Sequence, residues 1–460
     1  MMDIKDIFLE RDIFPELLKW AEHSAKGLFL RGPRQTGKTR TLLELGKCKA
    51  FSGCLYIDLS VPEIKNWWDG MNGHLDWYAR FRKYAEAYGV SFPDEGKPLV
   101  ILDEIQESPR MFNSIRGIVN EQKVRVAATG SYLGIAEFQN RFSAIGQPFF
   151  YPAGDVEALQ IDSLTYREVI RACERAKPDI PKESVFQYYF QYGGYPEVVK
   201  TWLETENYGT CLSILENIYS IIVGESQRYV IEPLPVMTWD MMFIGVAQQI
   251  EKKQDILRQY DQSLTYKFRA AGESAASRDN RISMMEWMLS CDLLWRGNVT
   301  NNLKDLGNIV KHAYYFADQG MMFLALSHSG QYPYLPIDSG NMSGMLAENF
   351  VALSLREYMT PLSYANKVDE IDFIYRKTSK EKPDSIEVKF GEGETKSSNK
   401  ALDEGKIRRI VKIQGKAGPS TEAVIIYPMR DMDRFGEFLG FPQSHNRYTK
   451  TILDVFKSPI

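Results

Sequence analysis

Short apolar blocks, each closed by a glycine or an acidic residue, set the rhythm of the first third of this chain. Leu28-Phe29-Leu30 reads as a strand that runs into a glycine turn, and Thr41-Leu42-Leu43-Glu44-Leu45 beyond the turn reads as the start of a helix. Leu55-Tyr56-Ile57-Asp58-Leu59 predicts a second strand. Leu99-Val100-Ile101-Leu102 has no polar member, which suits a strand buried on both faces of a parallel sheet. Val124-Arg125-Val126-Ala127-Ala128 predicts another strand and ends in Thr129-Gly130-Ser131. Strands alternating with helical segments imply an α/β domain with helices on both faces of the sheet.

From about residue 155 to 232 the period becomes helical, with Leu212, Ile214, Leu215, Ile218, Tyr219 and Ile222 at helical spacing. Residues 235–310 carry a mixed helical pattern. There Met284, Met285, Trp287, Met288 and Leu289 lead into Leu293-Leu294-Trp295-Arg296-Gly297, a helix followed by a short hairpin. Nearer the end, Glu370-Ile371-Asp372-Phe373-Ile374-Tyr375 and Ile386-Glu387-Val388-Lys389-Phe390 both read as strands. No internal repeat or low-complexity tract interrupts the chain.

The glycine turn carries the clearest chemistry. Gly32-Pro33-Arg34-Gln35-Thr36-Gly37-Lys38-Thr39 fits the G-x-x-x-x-G-K-[ST] phosphate loop without a mismatch, between a strand and a helix. Gly32 and Gly37 let the backbone approach phosphate oxygens closely, because neither has a Cβ. Lys38 brings a cation to the β- and γ-phosphates of ATP, and the Thr39 hydroxyl can ligate Mg2+. Asp103 then emerges at the carboxyl end of the Leu99–Leu102 strand, where ligands sit in open α/β sheets. Asp103 can hold the Mg2+ shell, and Glu104 can orient or deprotonate the attacking water.

Composition narrows the setting. Of the 460 residues, 44% are hydrophobic and 25% charged, which is ordinary for globular domains and long enough for two to four of them. The net charge of −4 gives no global attraction for nucleic acid, although a local patch stays compatible with it. No apolar run reaches the roughly 18 residues a membrane span needs, so no membrane partner is expected. The opening Met1-Met2-Asp3-Ile4-Lys5-Asp6 is too acidic for a secretory signal. Cys48, Cys54, Cys173, Cys211 and Cys291 are scattered without metal-ligand spacing. A cytoplasmic protein is the expectation.

The loop Gly32–Thr39, with Leu102-Asp103-Glu104-Ile105-Gln106 and Ala128-Thr129-Gly130-Ser131 downstream, resembles a large prokaryotic family of AAA-type ATPases. Members carry a C-terminal domain of uncharacterised function with a restriction-nuclease-like fold. The likeness extends through Leu164-Thr165-Tyr166-Arg167-Glu168, the lid signature Gly193-Gly194-Tyr195-Pro196, the element Tyr315-Phe316-Ala317-Asp318-Gln319-Gly320, and Gly344 to Val351. The resemblance implies a strand inserted between the two nucleotide motifs, as in the additional-strand division of P-loop ATPases. It also implies a polar sensor of the γ-phosphate at Thr129 or Ser131. Arg110, Arg116 and Arg141 lie after the right strands to approach a nucleotide, and Arg141 is taken as the arginine finger; the family usually has Gly-Arg near residues 145–147, and this chain departs from it with Ile145-Gly146-Gln147, which counts against the assignment. The implied fold is a P-loop three-layer αβα ATPase core over 1–154, a helical lid over 155–232, a winged-helix-like module over 233–335, and an α/β restriction-nuclease-like domain over 336–460.

In that last segment Glu387 and Lys389 fall on one face of a strand, because side chains repeat every two residues. With Asp372 on a neighbouring strand they would form a site for a hard divalent cation beside a water-activating base. Their order resembles the PD-(D/E)xK nuclease core, with Glu348 as a further acid. The bland alternative is a salt-bridged strand surface. Lys400, Lys406, Arg408, Arg409 and Lys412 suggest either a phosphate-contacting patch or a basic helix face. Lys267, Arg269, Arg278 and Arg281 are balanced by Asp261, Glu273 and Asp279 and read as a solvated face.

Three functions stay open: an Mg2+-dependent AAA-type ATPase driving its attached module, a DNA-processing or defence nuclease acting through Asp372, Glu387 and Lys389, and a non-hydrolysing, ATP-switched binding module that engages a protein partner. DNA and protein remain alternative partners. An arginine supplied by a neighbouring copy would imply an oligomer.

Overall fold

The computed structural model describes residues 9–71, 76–130, 154–226, 243, 245–247, 250, 285, 287–328, 340–378, 380–389, 395–415 and 418–441. The chain divides into two compact units, Leu9–Asp162 and Ser163–His445.

The first unit begins with helix α1 (Phe14–His23) and strand β1 (Gly27–Arg31). Helix α2 (Lys38–Leu45), strand β2 (Cys54–Asp58), helices α3 (Pro62–Gly70) and α4 (Trp77–Tyr88), and strand β3 (Leu99–Asp103) follow. Helix α5 (Pro109–Glu121), strand β4 (Arg125–Thr129) and strand β5 (Val156–Gln160) complete it. The five strands form one parallel sheet in the order β2-β3-β4-β1-β5. The strand that lies between the two motifs in sequence, β2, therefore sits at the sheet edge. The strand after the second motif, β4, fills the gap between β1 and β3.

Alternation along these strands builds two cores. Phe29, Leu55, Ile57, Val100, Leu102, Val126 and Ala128 pack with Trp68, Phe81, Phe112, Ile115 and Ile118 on one face. Leu28, Leu30, Leu99, Ile101, Ala127 and Leu159 pack with Leu17, Trp20, Leu42 and Leu45 on the other. The sheet is thus the middle layer of three. Local signals set the flanking helices: the Asp76 carboxylate accepts Ala79 N–H at the start of α4, and Ser108 accepts Met111 N–H before Pro109 opens α5.

The second unit opens with helices α6 (Tyr166–Ala176), α7 (Lys182–Tyr192), α8 (Pro196–Thr205) and α9 (Tyr208–Ser226). Thr165 and Glu168 make a reciprocal capping box at the head of α6. Phe186, Tyr188, Tyr189, Phe190 and Tyr192 of α7 are all buried. They are core residues, with Tyr188 stacked on Trp202 at 4.1 Å between centroids. Strands β6 (Leu294–Thr300) and β7 (Ile309–Phe316) form an antiparallel hairpin, followed by helices α10 (Gln319–His328) and α11 (Gly340–Arg356).

Strands β8 (Leu362–Ala365), β9 (Glu370–Ile371), β10 (Phe373–Tyr375) and β11 (Asp384–Lys389) come next, then helix α12 (Lys396–Asp403). Strands β12 (Ile410–Gln414) and β13 (Val424–Pro428) and helix α13 (Phe435–Leu439) end the described chain. The hairpin is not an isolated wing: β6 pairs in parallel with β8, giving a four-stranded sheet β7-β6-β8-β9. One sheet thus draws strands from both sides of the expected division at 335/336. A second sheet runs β10-β11-β12-β13, with α12 crossing between the parallel neighbours β11 and β12. The basic stretch 258–281 lies outside the described residues. All five cysteines are free, and no helix among the described residues is long and apolar enough to cross a membrane.

Candidate functional site

The phosphate-type loop leaves β1 at Gly32 and closes at Gly37, the left-handed residue (φ +86°) that caps α2. Gly32 has φ +148°, and a Cβ there would stand 1.8 Å from the Ile161 carbonyl oxygen. Gln35 also takes a left-handed backbone (φ +59°). Thr36 is fully buried and its hydroxyl donates to Pro33 O at 2.8 Å, which ties the loop across itself. Arg11, buried before α1, donates to the carbonyls of Thr36 (2.8 Å) and Asp162 (2.5 Å) and so braces the loop from beneath. Lys38 Nζ donates to Gly32 O at 3.0 Å and Pro33 O at 2.6 Å. The ammonium therefore lies over the loop that its own helix terminates, beside the positive end of that helix's dipole.

Asp103 ends β3 and comes to this helix. Thr39 Oγ1 donates to Asp103 Oδ2 at 2.7 Å, joining the two motifs across β4. Tyr56 on β2 donates its hydroxyl to the same oxygen at 2.9 Å, and Glu104 N–H donates to Oδ1 at 3.0 Å. Burial raises the Asp103 carboxyl above its ordinary value, against the lowering effect of the Thr39 and Tyr56 hydrogen bonds. Burial and the neighbouring Asp103 raise the Tyr56 phenol, which keeps it a neutral donor.

Glu104 holds a left-handed backbone (φ +47°), unusual for a residue with a Cβ, and its carboxylate accepts a hydrogen bond from Gln106 Nε2. Gln106 is itself buried against Gly130, where a Cβ would lie 2.1 Å from Gln106 Oε1.

Thr129 is fully buried and its hydroxyl donates to Leu30 O at 2.8 Å. That bond ties β4 to β1. Ser131 and Arg141 lie outside the described residues. Arg110 donates to the carbonyls of Asp69 and Met71, and Arg116 pairs with Asp155 at 3.3 Å. Tyr56, Gln106 and Arg11 were not singled out from sequence. Only the register of β2 against β3 would have pointed to Tyr56.

A second group of charges gathers in the other unit. The antiparallel register Phe373↔Ile386 brings Asp372 level with Glu387. Lys389 Nζ lies 3.2 Å from Glu387 Oε2 and 3.6 Å from Asp372 Oδ2. Asp372 Oδ2 also accepts Val388 N–H at 2.8 Å, and Ser398 Oγ on α12 donates to Glu387 Oε1 at 2.5 Å. Burial, with Asp372 adding to it, raises the Glu387 carboxyl. Burial pulls the Lys389 ammonium down, but Asp372 and Glu387 outweigh it and leave it raised. These residues line a cavity of about 540 Å3, with Glu370, Lys396 and Ser397 at its walls.

Glu348, buried on α11, adds to the negative charge that raises the Lys389 ammonium. Among the described residues no set of three or more His, Cys, Asp or Glu side chains is disposed to hold a metal ion. Lys389 supplies the counter-charge between the two acids instead. In the basic stretch, Lys400 pairs with Asp369, Lys406 with Glu404, and Arg408 and Arg409 with Asp384.

Residues 24–150 match the family model of an AAA domain. The matched stretch holds the glycine loop and strands β1 to β4 of the first unit, and the match supports nucleotide binding there. No match to the chain was found among curated proteins. Among solved structures, the Walker-type ATPase of Pyrococcus abyssi is similar at 14% identity and a TM-score of 0.42, over 70% of this chain and 96% of its own. A signal-transduction ATPase with numerous domains and a tetratricopeptide-repeat sensor, from Pyrococcus horikoshii, is similar at 13% identity and a TM-score of 0.30. It is matched over 76% of this chain and 46% of its own. The domain match is what carries the family reading.

Proposed function

We propose that the protein is an Mg2+-dependent AAA-type ATPase that hydrolyses ATP to drive an attached C-terminal module acting on nucleic acid or protein. The observation that carries this reading is the Thr39–Asp103 hydrogen bond beside a glycine loop that opens a helix. The Thr39 hydroxyl directs its proton to the carboxylate, so its lone pairs are the part left for a cation. A hydroxyl and a carboxylate are the hard oxygen donors that Mg2+ takes in small number beside phosphate and water, so the donor set fits. When bound, Mg2+ and ATP supply a phosphoryl group whose charge is partly neutralised.

The chain's own residues do the rest. The main-chain N–H groups from Gly32 to Thr39 and the start of α2 bind phosphate oxygens, and Lys38 adds its cation. Asp103 is kept in place by its three donors. Glu104, oriented by Gln106, takes the proton of the attacking water. Thr129, the polar residue that ends β4, is proposed to sense the γ-phosphate, and Arg141 to reach it, from the same chain or from a neighbouring copy. ATPase turnover tests the reading. Lys38→Ala should lose nucleotide binding, and wild-type affinity in that variant would exclude the loop as the site. Turnover with and without double-stranded DNA then separates a nucleic-acid module from a protein-binding one.

A second reading concerns the other unit. Asp372, Glu387 and Lys389 share one cavity, on strands whose order β10-β11-β12-β13 suits a restriction-nuclease-like core. Under this reading the two carboxylates bind Mg2+, with Lys389 beside them stabilising negative charge on a phosphodiester. An Mg2+-dependent nuclease assay decides it, since equal cutting by the wild type and Asp372→Ala would exclude that site.

A further inference from the structure

Asp103 holds both of its carboxylate oxygens in hydrogen bonds, and one of the donors comes from outside the two nucleotide motifs. Oδ1 takes the Glu104 N–H (3.0 Å); Oδ2 takes Thr39 Oγ1 (2.7 Å) and Tyr56 OH (2.9 Å). Tyr56 stands in the middle of the edge strand β2, where the register Tyr56↔Ile101 sets it two residues short of Asp103 along β3. Its neighbours Leu55 and Ile57 are buried in the core while Tyr56 is 36% exposed, so strand alternation turns it away from the packing they share. A phenylalanine would satisfy the same strand and the same partial exposure. The hydroxyl is therefore the part of Tyr56 that the strand itself does not require.

Two donors on one carboxylate oxygen have different freedom. Thr39 Oγ1 keeps its proton on Asp103 and offers its lone pairs to a cation, so its position answers to two partners at once. Tyr56 takes no part in such coordination and gives a bond that does not change with it. We infer that Tyr56 is a positioning residue for the nucleotide-bound Mg2+: its hydroxyl fixes Asp103 Oδ2 so that the carboxylate stays aimed at the cation held by Thr39. This inference rests on the ATPase reading above and names the residue that sets its metal requirement.

The test is binding rather than turnover. A fluorescent ADP analogue is titrated onto the full chain in EDTA, and then at fixed nucleotide with rising Mg2+, for the wild type and Tyr56→Phe. Loss of one hydrogen bond to a charged acceptor at a half-exposed position should raise the Mg2+ midpoint by about five- to tenfold. Affinity in EDTA should stay at the wild-type value, which also reports that the variant is folded. Superimposable Mg2+ curves for the two proteins would overturn the inference. So would a loss of affinity in EDTA equal to the loss in Mg2+, which would make Tyr56 a merely structural residue. Should the wild type itself bind no nucleotide, the ATPase reading fails first and takes this inference with it.

Discussion

The carboxylate of Asp318 accepts the main-chain N–H of Gly194 at 2.9 Å, across 124 positions of sequence. It also accepts the N–H groups of Gly320 (2.8 Å) and Met321 (3.1 Å), so one buried acid closes the turn before α8 and the start of α10 together. Three glycines allow the close approaches around it. A Cβ at Gly193 would stand 2.3 Å from Asp318 Oδ1, one at Gly194 1.9 Å from Leu164 O, and one at Gly320 2.4 Å from Tyr192 O. The Gly194 neighbour is main chain and cannot swing away. Gly194→Ala should therefore destabilise the second unit by about 3 kcal/mol, the upper end of what overpacking costs. Asp318→Ala, which strands buried N–H groups, should cost about as much. Calorimetric melting of the full chain checks both, and an unshifted transition for Gly194→Ala would contradict the packing described.

The glycine loop has the same character at Gly32. Its backbone lies where L side chains rarely go, and the atom in the way is the Ile161 carbonyl oxygen. Gly32→Ala should move the loop off its main-chain geometry and weaken ATP binding by about a hundredfold or more, as several phosphate hydrogen bonds lose alignment together. Equilibrium titration with a fluorescent nucleotide measures this. Retained affinity would show that the loop does not bind through its amides.

Glu104 and Gln106 should separate binding from chemistry. Glu104→Gln keeps the shape of the side chain and removes the base, so nucleotide affinity should hold while turnover falls by about 10²–10⁴-fold. Gln106→Ala frees the Glu104 carboxylate from its donor, and turnover should fall by about tenfold with unchanged affinity. Single-turnover hydrolysis beside binding tells these apart. A Gln106→Ala enzyme with the wild-type rate would show that Gln106 does not orient Glu104.

Asp384 should make the second unit sensitive to acid. Its side chain is 1% exposed and accepts Arg408 Nε (2.8 Å), Arg408 Nη2 (2.7 Å) and Arg409 Nε (2.8 Å). Burial works to raise its carboxyl, but the Arg408, Tyr375 and Arg409 hydrogen bonds outweigh it and the net direction is down. A carboxyl depressed in the folded state contributes stability above its ordinary value of about 3.9, and that contribution is lost as pH falls through the lowered folded value. Asp384→Asn should cost about 2–3 kcal/mol at neutral pH, discounted because Arg408 is 46% exposed. It should also flatten the loss of stability below about pH 4. Urea denaturation across that range reads both effects. A variant with the wild-type acid slope would rule Asp384 out as its source.

Much of the conformation around the glycine loop was legible because its parts are local. Gly32, Gly37, Lys38 and Thr39 lie within a few residues of one another, and a strand, a tight loop and a helix N-terminus are written in consecutive positions. Leu99–Asp103 was legible for the same reason: an unbroken apolar run has few places to go but the middle of a sheet. The aromatic run of α7 and the turn at Gly193-Gly194 were also readable, from periodicity and from glycine. The Leu30 carbonyl that accepts the Thr129 hydroxyl was not legible, because only the adjacency of β4 to β1 brings the two together.

What the chain determined alone, then, is a set of local conformations and a list of chemically able side chains. Tertiary structure decided which of them meet. It sent β2 to the edge and β4 to the gap, and so brought the Tyr56 hydroxyl to Asp103. It set Lys389 between Glu387 and Asp372. Strand order, register and the approach of distant carboxylates depend on contacts far apart in sequence, stabilised by burial of whole faces. No short stretch carries the free energy that selects among them, which is why no local pattern could have announced them.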